Sequence, residues 1–215
     1  MMYKTILFDF DGTVFDTVDG IAKSAQYALK KHGLYIPTER LRIFAGPPLV
    51  ETFREHFGVS QEKAEQLGDA FREYYIPVGM YEATPYPGMV ELINDLRGRG
   101  MTTAVTTLKP LFMAKKILEH AGLIGLFNGL YGSPDTGVED SKEKIIARAM
   151  NALNASAEET IVIGDKRFDI TGAHLVGVKA VGVRYGYAEE GELEEAGADV
   201  LVNTVCELRR FLLPE

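Results

Sequence analysis

Two aspartates one residue apart, Asp9 and Asp11, close the apolar run Ile6-Leu-Phe and are followed at once by Gly12 and Thr13. In an extended strand alternate side chains share a face, so the two carboxylates project to the same side. Gly12 lets the backbone turn sharply at that point and offer N–H groups to an anion. Neighbouring carboxylates repel unless a cation joins them, and a set of hard oxygen donors favours an ion such as Mg2+. The spacing predicts a metal site built to handle a phosphate.

The elements that must position these acids follow from periodicity. Five further apolar, β-rich runs recur at Thr102–Thr106, Gly129–Tyr131, Thr160–Ile163, Lys179–Val183 and Asp199–Val202. They alternate with helical patterns at Gly88–Arg99, Pro110–His120, Ser141–Leu153 and about Asp169–Val176, the order expected of βα units around a parallel sheet. The strands are almost continuously apolar, which fits burial on both faces. In such open sheets ligands bind beyond the carboxyl ends of the strands, where Asp9 and Asp11 stand. From Phe15 to Ala83 the alternation breaks into successive helices starting near Thr17, Thr38, Pro47 and Ser60, and Ala83-Thr-Pro-Tyr-Pro-Gly88 returns the chain to the α/β pattern. The fold class is therefore α/β, an open parallel-sheet, Rossmann-like core (1–14 and 84–215) with a small all-α domain (15–83) inserted after the first strand.

Composition bounds the function. The chain has 215 residues, 46% of them hydrophobic and 25% charged, as in an ordinary folded globular protein. A net charge of -8 provides no basic field for nucleic acid or an anionic membrane. One cysteine, Cys206, cannot form an internal disulfide, and no signal peptide or membrane-length apolar run is visible, so a cytoplasmic location is expected.

The stretch Asp9-Phe-Asp-Gly-Thr13 resembles the DxDGT signature of the haloacid dehalogenase superfamily of phosphohydrolases. Thr102-Thr-Ala-Val-Thr-Thr107 is similar to its second motif, and Ile161-Val-Ile-Gly-Asp-Lys-Arg-Phe-Asp169 to its GDxxxD motif. The resemblance spans nearly the whole chain, with the helical insertion where a C1 cap belongs. It implies Asp9 as nucleophile forming an aspartyl-phosphate, Asp11 as general acid and base, and Thr106 as a phosphoryl-holding hydroxyl, with Gly12, Thr107 and Asp11 also lining the phosphate. It implies Mg2+ bound by Asp9, the Asp11 main-chain carbonyl and Asp165, with Asp169 in support.

The family also has a lysine. Lys142, Lys144 and Lys109 are candidates; Lys142 shares a helical stripe with Ile146, Ala149 and Leu153, whereas Lys144 aligns with Arg148 and Asn151, so Lys142 is favoured as the inward-pointing one. An acid at Asp11 sets the chain apart from dehalogenases. Phe44-Ala-Gly-Pro-Pro-Leu49 and Gly164–Ile170 look most like the phosphoglycolate phosphatase-like branch. Pyrophosphatases, 5'-nucleotidases and β-phosphoglucomutase-like phosphotransferases are the alternatives.

The expected partner is a small phosphorylated metabolite, contacted by Arg42, Arg54 and the Gly46-Pro47-Pro48 turn; the assembly is a monomer or homodimer. A receiver module, which also uses strand-end acids, a Thr and a Lys, would be about half this length and would lack the insertion. Asp16 reads as a helix cap, and the four histidines lack metal-ligand spacing. Tyr185 and Tyr187 have no assigned role.

Overall fold

The apolar runs assemble into a six-stranded parallel sheet in the order Gly129–Ser133, Thr102–Pro110, Thr5–Phe8, Thr160–Gly164, Lys179–Val183, Val200–Val202. A computed structural model describes residues 3–46, 48–134 and 140–214. In chain order its elements are β1 (Thr5–Phe8), β2 (Phe15–Asp16), α1 (Val18–Lys31), α2 (Leu49–Phe57), α3 (Gln61–Tyr75), β3 (Thr84–Pro85), α4 (Met89–Gly98), β4 (Thr102–Pro110) and α5 (Leu111–His120). There follow β5 (Gly129–Ser133), α6 (Lys142–Leu153), β6 (Thr160–Gly164), α7 (Arg167–Leu175), β7 (Lys179–Val183), α8 (Glu192–Glu195), β8 (Val200–Val202) and α9 (Val205–Leu212).

The chain forms two compact units, one made by the sequence up to Phe15 and from Pro85 onward, the other by Asp16–Thr84. In the first, β1 lies between β4 and β6, with Phe8 opposite both Val105 and Ile163. Leu7, Ala104, Val162 and Ala180 on one sheet face pack with Ile146 and Ala149 of α6 and Ile170 and Ala173 of α7, all fully buried. Each such side chain contributes on the order of 1–3 kcal/mol by leaving water, and together they fix the strand register. That register decides which residues reach the carboxyl edge. No helix among the described residues is long and apolar enough to cross a membrane.

The second unit is helical, as its sequence pattern predicts, with three differences in detail. Thr38–Phe44 is a 3-10 helix, which its buried Leu41 and Phe44 explain, since residues three apart eclipse at three residues per turn. The next helix begins at Leu49, and Pro47 lies outside the described residues. Short strands β2 and β3, which pair with each other, occupy the two places where the chain passes between units.

In the first unit α9 has no counterpart in the sequence reading. Its signal was a capping pattern, for the Thr204 hydroxyl accepts the Glu207 N–H ahead of buried Leu208 and Leu212. β4 also runs beyond Thr106 to Pro110. Its pairing with β5 slips there, from Thr106 opposite Tyr131 to Pro110 opposite Ser133, so two extra residues bulge out of the strand.

Candidate active site

Asp9 follows β1 directly, and its N–H still donates to Ile163 O at 2.8 Å, so the sheet itself aims the residue. Asp165 follows β6, and Asp169 lies in the first turn of α7. The three carboxylates converge: one oxygen from each lies within 4.8 Å of the others, and all three residues are buried. Two glycines make this approach possible. A Cβ on Gly12, whose φ is +77°, would stand 2.1 Å from Asp165 Oδ2, and one on Gly164 would meet the Asp169 carboxyl group at 2.2 Å. Any other residue at either place would push the acids apart.

Lys142, at the start of α6, is 4% exposed and reaches into this cluster. Its Nζ lies 2.5 Å from both Asp9 Oδ1 and Asp169 Oδ1. Asp169 also accepts the Lys166 N–H through Oδ2 at 3.0 Å, so one carboxylate both closes the start of α7 and holds the lysine. Asp165 is held by neutral donors, Thr13 Oγ1 at 3.2 Å and the Tyr187 N–H at 2.7 Å. Tyr185 in turn donates its hydroxyl to Thr13 O at 3.1 Å and stacks edge-on against Tyr86.

The electrostatics are unbalanced. One ammonium stands among three buried carboxylates, so full ionisation of all three would leave two negative charges uncompensated. Burial, only partly offset by Lys142 and reinforced by Asp169, pushes the Asp9 carboxyl up to about 7. Burial and then the charges of Asp9 and Asp169 hold Asp165 well above the ordinary carboxylate range. Burial disfavours the Lys142 ammonium, yet Asp169 and Asp9 more than reverse this and raise its pKa. Such a cluster is poorly satisfied by protein groups alone.

The remaining predicted residues are also placed. The Thr106 hydroxyl, at the level of Asp9 in the parallel register, is fully buried and has no hydrogen-bond partner; among the described residues only Thr103, further back in the strand, shares that condition. Thr107 Oγ1 accepts the Lys109 N–H at 3.1 Å. The Gly12 N–H donates to Phe15 O at 2.8 Å, within the turn that follows Asp11.

The Asp11 side chain stands outside the acidic cluster, leaving its main-chain carbonyl as its predicted ligand atom. Lys144 is exposed and plays no part in the cluster. Lys109 does not join it either; its Nζ is paired with both Asp11 oxygens at 2.9 and 3.0 Å. Sequence reasoning named Lys109 only as a rival to Lys142 and missed this pairing, as it missed Thr13 and Tyr187 at Asp165.

In the helical unit Arg42 borders a cavity of 230 Å3 together with Asp19, Ala22, Lys23, Thr38 and Glu39, and lies 3.8 Å from Asp19. Arg54 donates to Gln61 at 3.2 Å. Asp16 caps α1, its Oδ1 accepting the Val18 N–H at 3.1 Å.

Over residues 6–183 the sequence matches the haloacid dehalogenase-like hydrolases. The chain belongs to that family. This haloacid dehalogenase-like hydrolase is 37% identical over 194 residues to a 5'-nucleotidase of Pseudomonas aeruginosa, covering 90% of this chain and 88% of that one. It is 27% identical over 210 residues to a phosphoglycolate phosphatase of Caulobacter vibrioides, covering 95% and 88%. The crystal structure of a predicted phosphatase from Clostridium acetobutylicum superposes with a TM-score of 0.89 at 36% identity over 100% of both chains. Within the family it stands among the phosphatases, and it is an enzyme of that kind.

The family generally uses Mg2+, and the residues present fit such an ion. Three buried carboxylates offer hard oxygen donors, and their uncompensated charge is what a divalent cation would neutralise. On β4, which pairs with β1, the unpartnered Thr106 hydroxyl is a buried donor awaiting an acceptor.

Proposed function

We propose that this hydrolase is a Mg2+-dependent phosphomonoester hydrolase acting on a small phosphorylated metabolite through an aspartyl-phosphate on Asp9. The observation that carries this reading is the grouping of Asp9, Asp165 and Asp169 around Lys142, with an unpartnered Thr106 hydroxyl on the strand that pairs with β1. Asp9 and Asp165, with the Asp11 carbonyl, would hold the ion and Asp169 would support them; the bound ion supplies countercharge for the phosphoryl oxygens.

Asp9 attacks phosphorus in line, forming an Oδ–P bond as the bond from phosphorus to the leaving oxygen breaks. Asp11 gives its proton to that oxygen. A water then attacks phosphorus while Asp11 takes a proton from it, the Asp9 Oδ–P bond breaks, and phosphate leaves with the Asp9 carboxylate restored. Lys142, the hydroxyls of Thr106 and Thr107, and the N–H groups after Asp9 hold the phosphoryl group throughout. A phosphate beside carboxylates meets repulsion of about 1 kcal/mol per charge pair at 4 Å even in water, so these donors are needed for binding as well as for rate. In this reading the helical unit serves as the cap that selects the leaving group.

The phrases around Phe44 and Gly164 support a phosphoglycolate phosphatase-like specificity. A second reading, a nucleoside monophosphate as substrate, is supported by the 37% identity to a 5'-nucleotidase. Phosphate release by purified protein, measured with Mg2+ against p-nitrophenyl phosphate, phosphoglycolate, nucleoside monophosphates, pyrophosphate and hexose phosphates, tests both. Hydrolysis abolished by EDTA and by Asp9→Asn is expected, and activity that survives either treatment rejects the mechanism.

A further inference from the structure

The proposed chemistry uses Asp11 twice as a proton carrier, which requires its carboxyl group to be held in place. Lys109 Nζ contacts both oxygens, at 2.9 and 3.0 Å, and its side chain is only 7% exposed. An ammonium taken this far out of water is a poor stabilising device, because its desolvation offsets most of the attraction. What a two-oxygen contact does give is orientation: the charge-assisted bonds turn the carboxylate toward Lys109.

The backbone is shaped to produce this contact. The two extra residues bulging from β4 between Thr106 and Pro110 interrupt the strand's alternation, and the Thr107 hydroxyl fixes the turn by accepting the Lys109 N–H. Bulges beside reactive groups commonly re-aim a side chain. Here the result is a division of labour between two lysines, Lys142 at Asp9 and Asp169, and Lys109 at Asp11. The Asp11 side chain is paired with Lys109 and is not part of the acidic cluster.

We propose that Lys109 is a positioning residue for proton transfer: it holds the Asp11 carboxyl group where it can protonate the leaving oxygen. The inference rests on the phosphatase reading above. In the first step the Asp11 proton passes to the leaving oxygen as its bond to phosphorus breaks and the Asp9–phosphorus bond forms. A misdirected Asp11 hurts most when the leaving group is a poor one.

The test compares kcat/KM for phenyl phosphate and p-nitrophenyl phosphate. The two are similar in size and charge, but p-nitrophenolate departs readily without a proton. General-acid contributions of roughly 10²–10⁴-fold set the scale, so Lys109→Met is expected to lower the phenyl to p-nitrophenyl ratio by about 10-fold or more. Lys109→Arg should restore most of it, and Lys144→Met should leave both rates unchanged.

In an Asp11→Asn background Lys109→Met should cost nothing further, because the two residues act as one unit. Lys109→Gln, checked by its melting curve, replaces Met if the Met variant does not fold. An equal fall for both esters, or additive losses in the double variant, would overturn the proposal. If the unaltered protein hydrolyses neither ester, it is the phosphatase reading that fails.

Discussion

The ion pairs of the helical unit and those at the sheet edge of the other unit treat charge in opposite ways, although the α/β unit also carries exposed pairs such as Lys4 with Glu159 and Lys115 with Glu119. In the helical unit the ion pairs lie at the surface: Lys31 with Glu73 has side chains 48% and 49% exposed, and Arg72 with Asp69 has 48% and 79%. At the sheet edge of the other unit the pairs are buried, with Lys142 and Asp169 each 3% exposed and Lys109 7%. Exposed pairs hold a helix surface in water and cost little to build. Buried ones carry a desolvation cost that folding alone gives no reason to bear. The contrast separates residues kept for solubility from residues kept for chemistry.

The largest effects should come from the buried set. Asp9→Asn is expected to lower kcat by about 10⁴-fold or more, as removing a nucleophile does elsewhere, with the fold intact by circular dichroism. Lys142→Met removes the only ammonium from the acidic cluster and should destabilise the metal-free protein by about 3 kcal/mol in urea melts. A similar loss, about 2–5 kcal/mol, is expected for Leu7→Ala, but from a cavity in the core and with no selective effect on phosphate chemistry. If Lys142→Met and Leu7→Ala prove alike in every readout, the distinction between chemistry and packing collapses.

A pH series sharpens the comparison further. The folded-state pKa of Asp9 is raised from 3.8 to about 7, so between these values the folded protein binds a proton that the unfolded chain has released. That contribution to stability is present in acid and is lost as pH rises toward 7. In EDTA, Asp9→Asn, which cannot ionise, should therefore gain stability relative to the unaltered protein as pH rises from 4 to 7, measured as the difference in melting temperature. The smallest effect belongs to the surface. Arg72→Ala should change stability by at most about 0.5 kcal/mol and leave activity untouched.

How far the sequence could be read follows the same division. Lys179–Val183 was delimited as found, and Asp9, Asp165 and Asp169 were brought to one edge, because strand ends and hydrophobic periodicity are local signals tied to a register that the core enforces. The inward direction of Lys142 was legible from its stripe with Ile146 and Ala149. Lys109 at Asp11 was not legible, since it depends on a two-residue bulge that alternation does not announce. The use of the Gly12 N–H within its own turn was equally hidden, because it depends on the exact turn by which Phe15 returns to the strand end, which residue types alone do not specify. In the helical unit, helix starts were visible, but over a segment as short as Thr38–Phe44 the sequence pattern does not separate the i+3 bonding of a 3-10 helix from the i+4 bonding of an α-helix.

The central claim is that the buried acids at the sheet edge are held together for one divalent ion. Isothermal titration of the unaltered protein and of Asp165→Asn with Mg2+ tests it directly. The account predicts a single site in the former and none in the latter. Equal affinity in both proteins would contradict it.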